Sequence, residues 1–170
     1  MTHRMKFPCS SVVKEISVEH AQHIIESTQE IFSSMIMLEV SPGEPFKRND
    51  DRLKDSISGI IGLAGATKGL LAIHLPKATA LTVTTAFLGM EVGEIDENVR
   101  DAVGELANML GGSIKSVIDP NGSDVQLSMP SAIYGEEYSV DCLADAETIT
   151  VPFNFDEHRF VVELQLRHDK

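Results

Sequence analysis

The sequence predicts an α+β domain in which long helices cover one face of an antiparallel sheet. Three observations lead to this prediction. Two long segments carry apolar residues at helical spacing, most other segments read as strands, and the strands are joined by hairpins rather than by crossovers. With 170 residues and 42% hydrophobic content, the chain can bury one substantial core. We therefore expect a single domain over residues 1–170, with residues 1–10 flexible.

The first helix is predicted from about Val18 to Leu38, where a broad apolar stripe includes Ile24, Ile25, Thr28, Ile31, Phe32, Met35 and Ile36. His20, His23 and Glu26 step by three along this helix and could in principle share a metal ion. Polar residues on the wet side of an amphipathic helix are usually a solvated face. No metal site is therefore predicted. A metal hydrolase built on His20 and His23 is accordingly the least favoured of the functions considered for this chain.

A loop and a β-hairpin are predicted next. Residues 41–51 combine turn residues and charges without periodicity, which is typical of a loop. Lys54 to Leu63 and Lys68 to Leu75 are rich in Ile and Leu and are separated by residues 64–67, so they read as paired strands. Pro76 ends the second strand, and His74 beside it is expected to be structural.

Two helices follow the hairpin. Ala78 to Leu88 reads as a short helix that Gly89 closes. Asp96 is placed to cap a longer helix that runs to about Ile118. The chain then turns at residues 119–122, which read Asp-Pro-Asn-Gly.

Three strands complete the predicted domain. They lie near Val125 to Ile133, Ala146 to Phe155 and Arg159 to Arg167. Residues 154–158 are the predicted hairpin connection of the last two strands. Helices that interrupt paired strands in this way favour the α+β class over a parallel sheet.

The predicted helix around Glu105 presents a polar face that core packing does not explain. Its apolar residues form one stripe, made of Val99, Val103, Leu106, Leu110, Ile114 and Val117. At about 100° per residue, four other residues fall within about 60° of one another on the opposite side. They are Asp101, Glu105, Asn108 and Gly112.

Three glycines in the same helix need a reason, since each costs about 1 kcal/mol against alanine in a helix interior. They are Gly104, Gly111 and Gly112. Bare backbone beside a carboxylate and an amide suggests that another molecule docks closely here, with Asp101, Gly104 and Gly112 as contacts. For Gly104 and Gly111, the alternative is close packing of a neighbouring helix of the same domain.

Asp101, Glu105, Asn108 and Gly112 together match the D/S-x-x-x-E-x-x-N-x-x-x-G pattern of a known family. The chain thereby resembles the chemotaxis phosphatases of the CheC, CheX and FliY group. Pro130 lies about where the family carries a later proline, and residues 67–76 resemble its glycine-led strand that runs into a helix. The order of elements agrees from about residue 15 to the end.

The resemblance implies a function and a fold. Members of the family hydrolyse the phosphoaspartate of the response regulator CheY. By resemblance, Asn108 would enter the regulator's active site and orient the attacking water, while Glu105 would bind the regulator's lysine. Mg²⁺ would sit in the regulator, so this chain would need no cofactor of its own. The resemblance also implies two pseudo-repeated halves, each led by a helix.

Some members of the family carry two copies of the motif, and the first helix is the place where a second copy would lie. Glu26 and Gln29 give a relaxed version of the E-x-x-N pair in one register, whereas aligning Gln29 with Glu105 places Phe32 at the asparagine position. The second register is preferred, since Phe32 belongs to the apolar stripe. In either register the first copy of the motif looks degenerate. A chain with a single intact motif, in its second half, resembles the CheX subgroup of the family.

Charge and composition limit the classes of molecule that could bind this chain. The net charge of −12 argues against nucleic acid and anionic membrane surfaces, and favours a partner with basic residues. No apolar run reaches the length of a membrane span, and the N-terminal residues lack the apolar segment of a signal peptide. We expect a cytoplasmic protein in which Cys9 and Cys142 are free thiols.

Two interpretations of the polar face remain open at this point. The leading one is a phosphatase acting on a phosphorylated CheY-type receiver. The other is a non-catalytic module that binds a receiver or a flagellar switch component. Such a module has no evident need for Asn108, which completes the E-x-x-N pair. Several family members dimerise, and an exposed sheet edge offers one route to a homodimer.

Overall fold

The computed structural model describes residues 11–48, 52–140 and 144–168. The predictions for residues 1–10, Cys9 and Cys142 lie outside the described residues. In the described parts the chain forms three α-helices, a π-helical turn and seven strands. They are α1 (Ser11–Ile31), the π-helical turn (Phe32–Ile36), β1 (Ser41–Pro42), β2 (Arg52–Gly65), β3 (Thr67–Pro76), α2 (Lys77–Leu88), α3 (Glu97–Ile118), β4 (Val125–Leu127), β5 (Ser131–Ser139), β6 (Glu147–Phe155) and β7 (His158–His168).

The seven strands form one antiparallel sheet, in the order β1, β6, β7, β3, β2 and β4. Strand β5 also pairs with β2, antiparallel and on the side away from β3. The predicted hairpins therefore supply the central pairings, β2 with β3 and β6 with β7. The α+β class with an antiparallel sheet is confirmed.

One hydrophobic core lies between the helices and one face of the sheet. Alternate strand residues enter it, including Ile57, Ile61, Leu71, Ile73, Val151, Phe153, Phe160, Val162 and Leu164. From the helix layer, α1 contributes Ile24, the π-helical turn contributes Phe32, and α3 contributes its apolar stripe. Phe32 stacks on Phe160 with ring centroids 4.8 Å apart. The helices cover one face, as the sequence predicts.

Most predicted elements are confirmed, with longer strands than expected. Strands β2 and β3 span Arg52–Gly65 and Thr67–Pro76, so only Ala66 separates them. Helix α2 ends at Gly89, which adopts the left-handed conformation (φ 68°) that favours glycine at this position. None of the described helices is long and apolar enough to cross a membrane.

The prediction of one strand over Val125 to Ile133 was wrong. The structure has two strands here, β4 and β5, separated by residues 128–130. Pro130 has no N–H to donate to a ladder, which explains a break at this point. Strand β5 continues to Ser139, paired with β2. The sequence prediction missed this extension because an exposed edge strand rich in polar residues lacks the apolar signal on which the prediction depends.

Part of the predicted loop, within the described residues 41–48, pairs with the sheet. Ser41 and Pro42 form β1 against β6, and Phe46 makes an isolated bridge with Thr150. Backbone hydrogen bonds of 2.8 and 2.9 Å join Phe46 and Thr150. This pairing covers an edge that β6 would otherwise leave open.

Candidate functional site

Helix α3 carries the residues of the predicted site and is well anchored at its start. Asp96 caps it, with the side-chain carboxylate accepting a hydrogen bond of 3.1 Å from the backbone N–H of Val99. Glu97 in the first turn and Lys115 in the last turn match the helix dipole. The predicted cap and the predicted end at Ile118 are both confirmed.

Close packing against β2 fixes the rotation of α3 about its axis. Gly59 of β2 has no room for a side chain, since a Cβ there would lie 2.6 Å from the backbone oxygen of Val103. Gly111 of α3 is in the same situation, because its Cβ would lie 2.7 Å from Cγ2 of Ile61. Glycine on each element therefore brings helix and strand together, and the opposite side of α3 faces outwards.

The four motif residues all lie on that outward side. Asp101, Glu105, Asn108 and Gly112 are exposed, while the residues of the apolar stripe from Val99 to Ile114 are buried. Among the described residues, no hydrogen bond or ion pair engages the side chains of Glu105 and Asn108. Since they are three residues apart on a helix, their Cβ atoms are separated by about 5–6 Å. The structure thus presents a free carboxylate and a free carboxamide together.

The chemical capacity of this face follows from its side-chain types. A carboxylate pairs strongly with a lysine or arginine, whereas a carboxamide donates and accepts hydrogen bonds without changing charge. Asp101, one turn before Glu105, adds a second negative charge. None of the four motif residues is a nucleophile of the serine or cysteine type, so their chemistry would position groups supplied by another molecule.

The three glycines of α3 differ in their surroundings. A Cβ at Gly112 would have nothing within 4 Å, so this position is open backbone on the polar face. Gly111 packs on strand β2, and Gly104 is buried with a would-be Cβ 4.0 Å from Cβ of Pro130. Close packing within the domain therefore accounts for Gly111, as the alternative interpretation proposed, although the neighbour is a strand and not a helix. The roles of Gly104 and Gly112 in partner binding stay predictions.

Residues 128–130 lie next to the candidate site, a position that was not predicted from the sequence. They link β4 to β5 and pass beside α3 at Gly104. In the sequence, Pro130 was singled out only because the related family carries a proline at about this place. No periodic signal marks a link that is defined by tertiary contact, which is why its position beside α3 was not predicted.

In the preferred register, α1 and the π-helical turn after it present no pair equivalent to Glu105 and Asn108. Phe32, at the asparagine position, is buried in the core. Gln29, at the glutamate position, donates a hydrogen bond of 3.2 Å from its amide to the backbone oxygen of Val40. Both side chains are committed to the fold.

The histidines of α1 do not form a metal site with Glu26. Nε2 of His23 lies 2.9 Å from the backbone oxygen and 3.0 Å from Oγ of Ser113 on α3. Glu26 instead accepts a hydrogen bond of 2.9 Å from Gln22. Across the described residues, no group of three or more metal-ligating side chains is arranged to hold an ion.

Comparison with known proteins adds evidence beyond the geometry. The sequence model of the family described as Chemotaxis phosphatase CheX matches residues 57–154. A curated relative, the CheY-P phosphatase CheX of Thermotoga maritima, is 28% identical over 118 residues, which cover 69% of this chain and 76% of the relative.

Two solved structures show the same fold over most of the chain. Chemotaxis protein CheX from Desulfovibrio desulfuricans superposes with a TM-score of 0.77 at 28% identity, covering 88% of this chain and 99% of that one. The CheX–CheY–BeF₃–Mg²⁺ complex from Borrelia burgdorferi gives a TM-score of 0.76 at 22% identity, with 88% and 98% covered.

Proposed function

The chain belongs to the chemotaxis phosphatase CheX family, and we propose that it hydrolyses the phosphoaspartate of a CheY-type response regulator. In this proposal Asn108 orients the attacking water and Glu105 docks on the regulator. The observation that carries the assignment is the pair of exposed, unpartnered side chains of Glu105 and Asn108 on a helix fixed by close packing. Such a pair is free to enter another protein without first breaking contacts of its own.

The proposed reaction requires no covalent bond between the phosphoryl group and this chain. Water attacks phosphorus, the bond from phosphorus to the aspartyl oxygen breaks, and the products are the free carboxylate and inorganic phosphate. Because an acyl phosphate is already activated, the missing element is a water held in line with that bond. The carboxamide oxygen of Asn108 can accept a hydrogen bond from this water and direct its lone pair at phosphorus. A neutral amide does so without repelling the phosphoryl oxygens.

Glu105 is proposed to fix the register of docking. Its carboxylate would pair with a basic residue of the regulator, the lysine that the family resemblance implies, through a charge-assisted hydrogen bond. Asp101 and Gly112 lie one turn before Glu105 and one turn after Asn108, and would flank the contact. Gly104 would add to the contact only through its backbone, because it is buried beside Pro130.

Mg²⁺ is proposed to belong to the regulator and not to this chain. It would neutralise charge on the phosphoryl group as the bond to the aspartyl oxygen breaks. The complex solved with the Borrelia burgdorferi relative contains CheY, BeF₃ and Mg²⁺, which supports a reaction in which Mg²⁺ is present together with the receiver.

The decisive experiment follows the decay of a phosphorylated, Mg²⁺-loaded CheY-type receiver from the same organism. We expect wild-type protein to accelerate the decay and the Asn108→Ala variant to lower kcat by roughly a hundredfold or more, since it removes a positioning contact. Folding should be unchanged because Asn108 is exposed. Asn154→Ala, an exposed asparagine on β6, is the matched control and should retain full activity.

Two outcomes would contradict the proposal. Full activity of Asn108→Ala would remove Asn108 from the mechanism. If the wild type binds the phosphorylated receiver without changing its decay, the chain is a binding module, and the complete E-x-x-N pair serves recognition alone.

A further inference from the structure

The link from Ser128 to Pro130 carries an apolar side chain that the fold leaves bare. Met129 is 87% exposed, the highest value among the large apolar side chains of the described residues. A single exposed methionine is common on protein surfaces and needs no explanation by itself. The setting of Met129, however, ties it to the proposed site.

Hydrogen bonds hold the link to β2. The backbone N–H of Ser128 donates to the oxygen of Gly62 at 2.9 Å, and the N–H of Gly62 donates to Oγ of Ser128 at 2.8 Å. The same hydroxyl donates to the backbone oxygen of Met129 at 3.0 Å. Pro130 restricts the following backbone torsion. The link is thus fixed on both sides of Met129, and the side chain is held away from the core.

The link also borders the polar face of α3 on a definite side. Pro130 lies over Gly104. On a helix with about 100° per residue, position 104 is about 40° from Asn108 and about 100° from Glu105. The link therefore flanks the site beside Asn108, the residue proposed to hold the attacking water, and lies farther from Glu105.

We propose that Met129 is a contact of the docked receiver, covered by an apolar surface of that receiver next to its phosphorylation site. This inference rests on the proposed function. Interface cores favour methionine and are poor in charge, and apolar contacts around a reacting group exclude bulk water. An unbranched, polarizable side chain also adapts to the surface that it meets. Asp101 and Glu105 supply charge to the contact, and Met129 supplies its apolar part.

The test compares Met129→Gln, Met129→Leu and the control Met37→Gln, whose methionine is 80% exposed at the end of the π-helical turn. Steady-state dephosphorylation gives kcat and KM, and titration with the BeF₃- and Mg²⁺-loaded receiver gives Kd. We expect Met129→Gln to raise KM and Kd roughly tenfold, equivalent to about 1.4 kcal/mol of lost apolar burial. Met129→Leu and Met37→Gln should resemble wild type, and the melting temperature should not change.

The outcomes separate this inference from the proposed function. Unchanged KM and Kd in Met129→Gln would overturn the contact, while the loss of activity in Asn108→Ala would leave the phosphatase standing. Binding of wild type without turnover removes the phosphatase, and the Kd of Met129→Gln then decides the contact. If wild type neither binds nor dephosphorylates the receiver, both proposals fall.

Discussion

At the scale of single residues, the least expected feature is an ionic cluster on the sheet face away from the helices. The carboxylate of Glu163 is 1% exposed and lies 2.9 Å from Nε of Arg48. Nε2 of His74 lies 3.6 Å from the same carboxylate, and Nδ1 of His74 lies 2.6 Å from Oγ of Ser58. Thr150 and Gln165 donate further hydrogen bonds to Glu163, of 3.3 and 3.1 Å.

The environment of Glu163 makes folding depend on pH. Burial opposes ionisation, but contacts with His74 and Arg48 outweigh it and lower the pKa of Glu163 to about 2 from its usual 4.5. A carboxylate with a lowered pKa stabilises the folded state above its unfolded pKa, and this contribution is lost as the pH falls towards the folded pKa. The sensitive window therefore lies between pH 4.5 and about 2.

We expect Glu163→Gln to lower the free energy of unfolding at pH 7 by roughly 3–5 kcal/mol, because it leaves Arg48 facing a neutral partner in a buried site. The difference from wild type should shrink as the pH falls below 4.5, where the wild-type carboxyl begins to lose its advantage. Urea denaturation of both proteins at several pH values measures this. Other carboxylates titrate in both proteins and cancel, so a pH-independent difference would contradict the assignment.

Single residues were predictable where helical periodicity places them, and not where tertiary contact does. The exposure of Glu105 and Asn108 follows from a stripe of apolar residues on the same helix. The cluster around Glu163 does not, because Arg48 is 115 residues away. In β7, residues 161–166 alternate in a way that suggests a solvated face, yet Glu163 and Gln165 are buried. His74 was expected to be structural, and it is buried in this cluster.

At the scale of the element, the proposed docking surface and the stability of α3 place conflicting demands on the same helix. A stable helix favours alanine over glycine, whereas a docking surface favours open backbone. Gly111 satisfies packing against Ile61, but Gly112 has no neighbour that a Cβ would meet. Nothing within the described residues requires glycine at this position, which is consistent with a demand from a partner.

Gly112→Ala should therefore stabilise the protein and impair its proposed activity. The gain in helix propensity is worth up to about 1 kcal/mol, or roughly 2–4 °C in melting temperature for a chain of this size. If the receiver approaches the bare backbone, the added methyl group should raise KM. Thermal unfolding and steady-state kinetics measure the two effects.

The neighbouring glycine supplies the control for this experiment. Gly111→Ala should destabilise the fold, since its methyl group would lie 2.7 Å from Cγ2 of Ile61. A stabilised Gly112→Ala protein with unchanged KM would show that the receiver does not approach this part of the helix.

Helices were more predictable than edge strands. The boundaries of α2 and α3 follow from Gly89 and Asp96, which act through local backbone geometry. Strand β1 depends on pairing with β6, and β4 and β5 depend on pairing with β2. No local sequence pattern indicates these pairings. The split at residues 128–130 was missed for this reason, and it also carries Met129.

At the scale of the whole molecule, the two halves of the chain share an order of elements but differ at the proposed site. Helix α1 leads β1 to β3, and α3 leads β4 to β7, so each half begins with a helix. In the π-helical turn that continues α1, Phe32 supplies a core side chain at the position where α3 presents Asn108. One helix thus serves the core at the position where the other serves the surface. A homodimer through the sheet edge stays a prediction.

The net charge of −12 also belongs to this scale, and it should make docking depend on salt. A negatively charged protein attracts a receiver that presents basic groups, and this attraction is screened as the Debye length falls from about 14 Å to about 4 Å between about 0.05 and 0.5 M salt. We expect KM for the phosphorylated receiver to rise several-fold over this range with kcat nearly constant, because screening acts on encounter and not on the positioned water.

Two variants with the same change in net charge distinguish a local pair from the overall field. Glu105→Gln should raise KM at low salt and flatten its salt dependence, since it removes the proposed pair with the regulator's lysine. Glu157→Gln, in the turn between β6 and β7, should retain the wild-type slope. If both variants shift the slope equally, the long-range field dominates and Glu105 has no special place in docking. A salt-independent KM would mean that charge does not guide recognition, and that the apolar contact at Met129 and the shape around Gly112 must account for it.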